Sequence, residues 1–214
     1  MVNAILSAVL AVTTAQASAV PLDTASLADG PYARMHMLWE KTFLKVDVLT
    51  LDVRVGPETA ERLRAIAEGR EGRAESRARA DSLAAAAIEA RDAFISVRFE
   101  RDVSLGQFLD GVRDNLRRAR DAGIIDAAAY DTITAGLPRW FGFLAGSGIR
   151  DGDRILYRIR GDTLRTVFLA REGGVRLDQT DVGAERRRAV LGSYFVRGSD
   201  FRGGLLRSLP RSPN

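Results

Sequence analysis

Residues 43–53, "FLKVDVLTLDV", form an apolar run that also carries two aspartates. Apolar and polar residues alternate along it, which predicts a β-strand. The parity of the apolar residues changes near Val48, so we expect a β-bulge there, because one extra residue returns the later side chains to the same face. An unpaired carboxylate is costly to bury. We therefore expect Asp47 and Asp52 either to face water or to form a charge network in a cleft.

Composition limits the classes of function. The chain has 214 residues, of which 46% are hydrophobic, and this length suits one domain over residues 20–214. Its 32 basic residues are interleaved with 28 acidic ones, whereas nucleic-acid binders concentrate basic residues on one stripe. We expect no nucleic-acid partner. Without cysteine and with His36 as the single histidine, we expect no metal site and no cofactor.

The N-terminus has the features of a secretory leader. Residues 4–12 are apolar, and small residues with two Ala-x-Ala sites follow them. This pattern predicts a signal peptide over residues 1–19, although no basic residue precedes the apolar run. That run is too short to span a bilayer. We expect a periplasmic or secreted protein without an integral membrane segment after leader removal; a short anchor that stays attached is the alternative.

The first half of the mature chain combines strand and helix signals. Residues 20–37 have no clear pattern and are expected to be irregular, and a strand region follows over residues 39–55. Pro57 suits the first position of a helix, which is predicted to end at Glu68. Residues 69–92 mix Ala, Arg and Glu in a pattern typical of a solvated helix with ion pairs. We expect this segment to be an exposed helical insertion.

A strand and a capped helix follow. The segment "FISVRFE" at residues 94–100 alternates apolar and polar residues, which predicts a strand with one buried face. Ser104 and Gln107 have the spacing of a capping box. The helix that begins there repeats apolar residues at helical spacing, and Gly123 is expected to follow its end.

The remaining elements complete the fold class. A second helix is predicted from Asp126 to Leu137, where Pro138 would stop it. Two alternating runs around Gly161-Asp162 predict a β-hairpin. Two short helices are expected over residues 182–193 and 199–208. This order of elements predicts an α+β fold in which helices cover an antiparallel sheet.

Four segments of the chain together resemble one family, the chalcone isomerases with their fatty-acid-binding and bacterial relatives. "FLKVDVLTLDV" resembles the first long strand of that family, and "RDVSLGQFLDGVRDNL" resembles its first long helix. "SGIRDGDRILYRIRG" is similar to the start of its hairpin, and "RAVLGSYFVRGSDFRGGLLRSL" to its C-terminal helices. The resemblance spans about residues 39–209. It implies an open-faced β-sandwich, an antiparallel sheet with a layer of helices and a cleft between them.

The resemblance also implies positions for the catalytic residues of the plant enzymes. The strand threonine falls on Asp47, the helix tyrosine on Phe108 and the pocket asparagine on Asn115. A polar residue of the C-terminal helix falls near Arg187, in a weaker alignment. Asn115 alone is kept. Phe108 cannot donate a hydrogen bond, and an ionised Asp47 would repel the negative charge that develops on an enolate. The chain is therefore not expected to be a true chalcone isomerase.

Three functions remain open at this stage. The first is a non-catalytic protein that binds a small apolar carboxylate, such as a fatty acid, with Arg98 and then Arg101 as anchors and Phe108 and Asn115 in the pocket. The second is an isomerase (intramolecular lyase) of unknown substrate that uses Asp47 as acid or base and Arg98 as the partner of the oxyanion. The third is a periplasmic scaffold without a ligand. An Asp47 that points into the cleft would favour the enzyme, and an apolar cleft with one arginine at its end would favour the binder.

Overall fold

The computed structural model describes residues 32–41, 46–68 and 73–209, without the side chains at 41, 46, 47 and 73–75. The predicted signal peptide at residues 1–19 lies outside these ranges, as do residues 20–31 of the stretch expected to be irregular. The expectation of irregular structure is wrong for residues 33–37, because the first strand already begins at Ala33. Within the described ranges, no helix is both long and apolar enough to cross a membrane.

Six strands within these ranges form one antiparallel sheet in which the strand order follows the chain. Each strand pairs with the next one, and the hairpins β4–β5 and β5–β6 form one end of the sheet. The strands are β1 (Ala33–Lys41), β2 (Val46–Val55), β3 (Asp92–Phe99), β4 (Arg154–Arg160), β5 (Thr163–Leu169) and β6 (Val175–Val182).

Six α-helices of the described part of the chain pack on one face of this sheet. The large core cluster combines residues of all six helices with alternate residues of the strands, whereas a small second cluster on the other face contains strand residues alone. This arrangement confirms the predicted α+β class. The helices are α1 (Pro57–Glu68), α2 (Arg73–Ile88), α3 (Leu105–Asp121), α4 (Ala127–Trp140), α5 (Ala184–Phe195) and α6 (Arg202–Arg207), and a short 3-10 helix (Gly142–Leu144) follows α4.

The predicted bulge lies in β2 at Val48. Trp39 pairs with Leu49 and the next residue, Glu40, pairs with Asp47, so Val48 is the extra residue. Val48 and Leu49 are both buried. After the bulge the odd residues of β2 face the helices, which places Asp52 on the opposite, open face.

The capping box of α3 is also confirmed. The Gln107 N–H donates to Ser104 Oγ at 3.2 Å, and the Ser104 N–H donates to Gln107 Oε1 at 3.1 Å. Such an N-cap contributes about 1 kcal/mol to helix stability. Gly123 follows the helix with φ of 70°, a left-handed conformation that glycine adopts without steric cost. These signals fix where α3 begins and ends, and therefore which of its side chains face the sheet.

The expectation of an exposed insertion at residues 69–92 is wrong for the second half of α2. Leu83 and Ile88 are buried there together with three alanines. Small alanine side chains allow α2 to lie close to α1 and α5, which it contacts. A run of alanines carries no hydrophobic periodicity, so the sequence pattern does not reveal that this helix is packed.

The end of α4 and the presence of a sixth strand also differ from expectation. Helix α4 continues through Pro138 to Trp140. The proline removes one hydrogen bond near the helix end, while the Phe141 N–H still donates to the Leu137 carbonyl at 3.0 Å. Strand β6 was not predicted, because its helix-facing residues include the polar Gln179 and Asp181 and so give no apolar alternation.

Candidate functional site

Two cavities lie between the sheet and the helices. The first, the α4 chamber, has a volume of about 120 Å³ and is bounded by α3, α4, α5 and strands β4 to β6. The second, the β1 chamber, has a volume of about 230 Å³ and is bounded by β1 to β4, α3 and the residues before α6. Both chambers are lined by Phe108, Val112, Asn115, Tyr157 and Tyr194. The two chambers are therefore neighbours in the cleft between sheet and helices, and they share these residues as a common wall.

The walls of the chambers are mostly apolar. In the α4 chamber Leu137, Trp140 and Leu177 line the space beside the shared Phe108 and Val112. Aromatic rings pack around this region: Phe108 contacts Phe99 and Phe141 edge-on, with ring centroids 6.2 Å and 4.9 Å apart. An apolar cleft with a few polar groups is the usual form of a small-molecule site.

Several polar groups of the α4 chamber come from β6 and α5. Gln179 Nε2 donates to both carboxylate oxygens of Asp181, at 3.1 Å and 2.9 Å. The guanidinium of Arg186 lies over the ring of Trp140, 5.3 Å from its centroid. Among the described residues, no carboxylate lies within ion-pair distance of Arg186. The chamber thus holds a cation that a ligand's acidic group could pair with.

Two tyrosines and one asparagine lie where the chambers meet. Tyr157 on β4 and Tyr194 on α5 are half-buried and line both chambers. Burial raises the pKa of Tyr157 to about 12 and raises the pKa of Tyr194 well above its ordinary value. Both hydroxyls are therefore neutral at physiological pH and remain hydrogen-bond donors. Asn115 Oδ1 accepts a bond from Arg118 Nη1 at 2.9 Å.

Two of the residues predicted from sequence lie in the cleft. Phe108 and Asn115 line both chambers. The side chain of Asp47 lies outside the described part of the structure; its backbone pairs with Glu40 in the sheet. The enzyme hypothesis that depends on Asp47 therefore stays a prediction.

Arg98 lies on the wrong side of the sheet for a ligand in this cleft. Val97 and Phe99 point to the helices and are buried, so the residue between them points to the open face. There Arg98 Nη1 lies 3.3 Å from Glu100 Oε2, with 47% of its side chain exposed. Arg101 lines neither chamber. The assignment of these two arginines as anchors for a ligand between sheet and helices is therefore wrong.

Arg187 is a structural residue. It is 3% exposed, and its Nη1 donates to the carbonyls of Ile88 and Ala90 at 3.3 Å each. It also lies 3.6 Å from Glu89 and 3.7 Å from Asp162. These contacts connect α5 to the chain after α2, outside both chambers. The arginine of this helix that does line the cleft is its neighbour, Arg186.

Sequence reasoning missed most of the polar lining. Because β6 was not recognised, Gln179 and Asp181 had no assigned face. Tyr157 could have been found, since it shares the parity of the buried Ile155 and Ile159 on β4. Within the described ranges, no three His, Cys, Asp or Glu side chains come close enough together to hold a metal ion.

Comparisons with known proteins support the fold alone. No family model and no curated protein sequence matches the chain. The structure is similar to the crystal structure of a fatty-acid binding protein of Arabidopsis thaliana, with a TM-score of 0.50 and 14% sequence identity over 81% of this chain and 86% of that chain. The likeness, together with the six-stranded sheet and its helix layer, confirms the predicted open-faced β-sandwich of chalcone isomerase type.

Proposed function

We propose that the chain is a non-catalytic protein that binds a small apolar carboxylate, such as a fatty acid, in the cleft between sheet and helices. The observation that carries this proposal is Arg186, a cation without an acidic partner among the described residues, at an apolar chamber. The carboxylate would pair with the Arg186 guanidinium, and the hydrocarbon would lie along Phe108 and Val112. Charge-assisted pairing of this kind is stronger than a bond between neutral groups.

The dimensions of the cleft support a ligand with a long, thin apolar part. A cavity of about 150 Å³ holds a molecule the size of benzene, so the α4 chamber, at about 120 Å³, holds only one end of a longer chain. The β1 chamber adds about 230 Å³ beyond the shared residues. A fatty acid whose carboxylate lies at Arg186 would extend past Asn115 and Tyr194 into the β1 chamber. The similar fold of a fatty-acid binding protein is consistent with this arrangement.

The experiment that tests the proposal compares Arg186 on α5 with Arg139 on α4. We expect Arg186→Gln to weaken binding of a saturated fatty acid by about 10- to 100-fold, because a hydrogen bond to a charged group contributes about 1.5–3 kcal/mol. Arg139 is exposed on α4 and lines neither chamber. Arg139→Gln is therefore the matched control, and titration calorimetry of both variants gives the affinities.

The same titration shows whether the ligand carboxylate pairs with a residue other than Arg186. Equal affinities for Arg186→Gln and Arg139→Gln would contradict the proposed role of Arg186. In that case Arg118, which lines the β1 chamber, is the next cation to test, and a loss in Arg118→Gln would place the carboxylate at the other end of the cleft. No measurable binding in the unchanged protein would overturn the binding function itself.

An isomerase is the second candidate, and the tyrosine pair is the observation that favours it. Neutral hydroxyls of Tyr157 and Tyr194 could donate to a substrate carbonyl and stabilise a developing enolate. A phenolic enone whose absorbance changes on ring closure tests this candidate. Turnover that Tyr157→Phe abolishes would support an enzyme, and absence of turnover above the uncatalysed rate would exclude this substrate class.

A further inference from the structure

A second concave surface lies outside the ligand cleft, between α2, α6 and the segment that joins α5 to α6. This arginine groove has a volume of about 660 Å³, and none of its described lining residues also lines either chamber. It is lined by five arginines and one carboxylate: Arg77, Arg79, Arg197, Arg202, Arg207 and Asp81. Such a ratio contrasts with the rest of the chain, where acidic and basic residues are nearly balanced.

The ion pairs within the groove leave an excess of positive charge. Both carboxylate oxygens of Asp81 are engaged, one by Arg197 and the other by Arg202. Hydrogen bonds from Arg202 and then Arg197 lower the pKa of the Asp81 carboxyl, against the opposing effect of burial. Arg77 and Arg207 are exposed, and among the described residues no carboxylate lies within ion-pair distance of either guanidinium. The groove therefore attracts anions.

The floor of the groove distinguishes between kinds of anionic partner. It is apolar, with Leu83 buried and Leu206 and Leu209 half-buried. None of its described lining residues is aromatic, whereas proteins that bind single-stranded nucleic acids stack bases on aromatic rings. Arginines around a leucine floor match a surface that presents phosphate groups above hydrocarbon, which is the chemistry of a phospholipid bilayer.

We propose that the arginine groove docks the protein on a membrane surface that contains anionic phospholipids. The groove is next to the β1 chamber, because Ser199 and Arg202 line the groove while Asp200 and Phe201, between them in sequence, line the chamber. A docked protein would hold that chamber close to a bilayer, in which apolar carboxylates dissolve. This last consequence rests on the proposed function; the docking itself does not.

The test is co-sedimentation of the full chain with phosphatidylcholine vesicles made with and without phosphatidylglycerol. We expect binding that needs phosphatidylglycerol and weakens as salt is added, since salt screens exposed charges. The double variant Arg77→Gln/Arg207→Gln should bind about twenty-five-fold more weakly, because each arginine near an anionic surface contributes about five-fold. Both side chains are exposed, so the fold should be kept, which thermal unfolding verifies.

The matched control removes the same charge elsewhere. Arg154 and Arg160 are exposed at the two ends of β4, and Arg154→Gln/Arg160→Gln should bind vesicles as the unchanged protein does. Equal losses in the two double variants would overturn the proposal, because net charge alone would then explain binding. Equal binding to phosphatidylcholine alone would also overturn it.

A third arm separates a bilayer from a soluble phosphate. Inorganic pyrophosphate is added, and the thermal unfolding temperature is recorded. A shift with pyrophosphate, lost in Arg77→Gln/Arg207→Gln and without any vesicle binding, would show that the groove takes free phosphates and would overturn the membrane proposal. Vesicle binding that is unchanged in Arg186→Gln would show that docking and ligand binding are separate properties.

Discussion

The two faces of the sheet differ in whether their arginines are paired with carboxylates. On the open face, carboxylates pair with arginines: Asp52 contacts Arg34 and Arg54, and Asp178 contacts Arg165 with two bonds of 2.8 Å and 2.6 Å. On the helix face, the few polar side chains line the chambers, and Arg186 has no carboxylate partner among the described residues. These open-face arginines are thus engaged by the protein's own carboxylates, whereas the Arg186 guanidinium has no such partner in the described ranges.

The largest expected effect on the open face is at Arg158. This residue is 9% exposed, and its Nη1 donates to Asp92 Oδ1 at 2.5 Å and to the carbonyls of Ala93 and Ile159 at 2.9 Å and 2.8 Å. Arg158→Ala removes these hydrogen bonds and leaves the Asp92 carboxylate without its ion-pair partner, so it should lower the free energy of unfolding by about 3 kcal/mol. Denaturant unfolding measures the loss.

The same variant should retain its ligand affinity, since Arg158 points away from the chambers. A ligand affinity that falls with Arg158→Ala in the folded protein would break the distinction between the two faces. Arg98→Gln, which changes an exposed charge on the same face, provides the control for altered net charge.

An intermediate effect is expected at the tyrosine pair on the helix face. The folded-state pKa of Tyr157, about 12, lies above its ordinary value of 10. The neutral form is favoured in the folded protein, so its contribution is fully present below pH 10 and is lost as pH rises from about 10 to about 12. The loss should be about 2–3 kcal/mol over the two pKa units, since one unit corresponds to about 1.4 kcal/mol.

Unfolding curves recorded across this pH range measure the slope, and Tyr157→Phe should make it shallower. Tyr130 on α4 lies outside both chambers, so Tyr130→Phe is the matched control. An alkaline slope that is the same in both variants would mean that Tyr157 ionises as freely in the folded protein as in the unfolded chain.

The smallest effect is expected at the exposed pair Arg165–Asp178. Arg165 holds the pKa of the Asp178 carboxyl below its ordinary value, mainly through its hydrogen bonds and against the effect of burial. The contribution is present above pH 4 and disappears as pH falls through the lowered pKa. Asp178→Asn should cost less than about 1 kcal/mol at neutral pH. A loss as large as that of Arg158→Ala would show that exposure does not separate strong from weak pairs on this face.

Strand and helix signals with a local physical cause could be predicted from the sequence. The parity change at Val48 predicted the bulge, and the spacing of Ser104 and Gln107 predicted the beginning of α3. The buried half of α2 could not be predicted, because alanine is compatible with exposed and packed helices alike. Strand β6 was missed because two of its helix-facing residues, Gln179 and Asp181, are polar and line the cleft instead of packing in the core.

The site was predicted less well than the fold, for two physical reasons. The alternation of Val97, Arg98 and Phe99 already assigned Arg98 to the face opposite the core, and a ligand anchor between sheet and helices needs the other parity. On α5, adjacent arginines point in different directions, and a weak alignment could not decide between Arg186 and Arg187. Only the orientation of α5 in the structure shows that Arg186 is the one that lines the cleft.

The most direct test of a ligand in the cleft is native mass spectrometry of the protein purified without detergent from a bacterial host, followed by organic extraction of what co-purifies. The account predicts one bound carboxylate with an apolar chain per protein, at lower occupancy in Arg186→Gln and at full occupancy in Arg98→Gln. A protein that is empty, and whose thermal unfolding does not shift with fatty acids of any chain length, would contradict it.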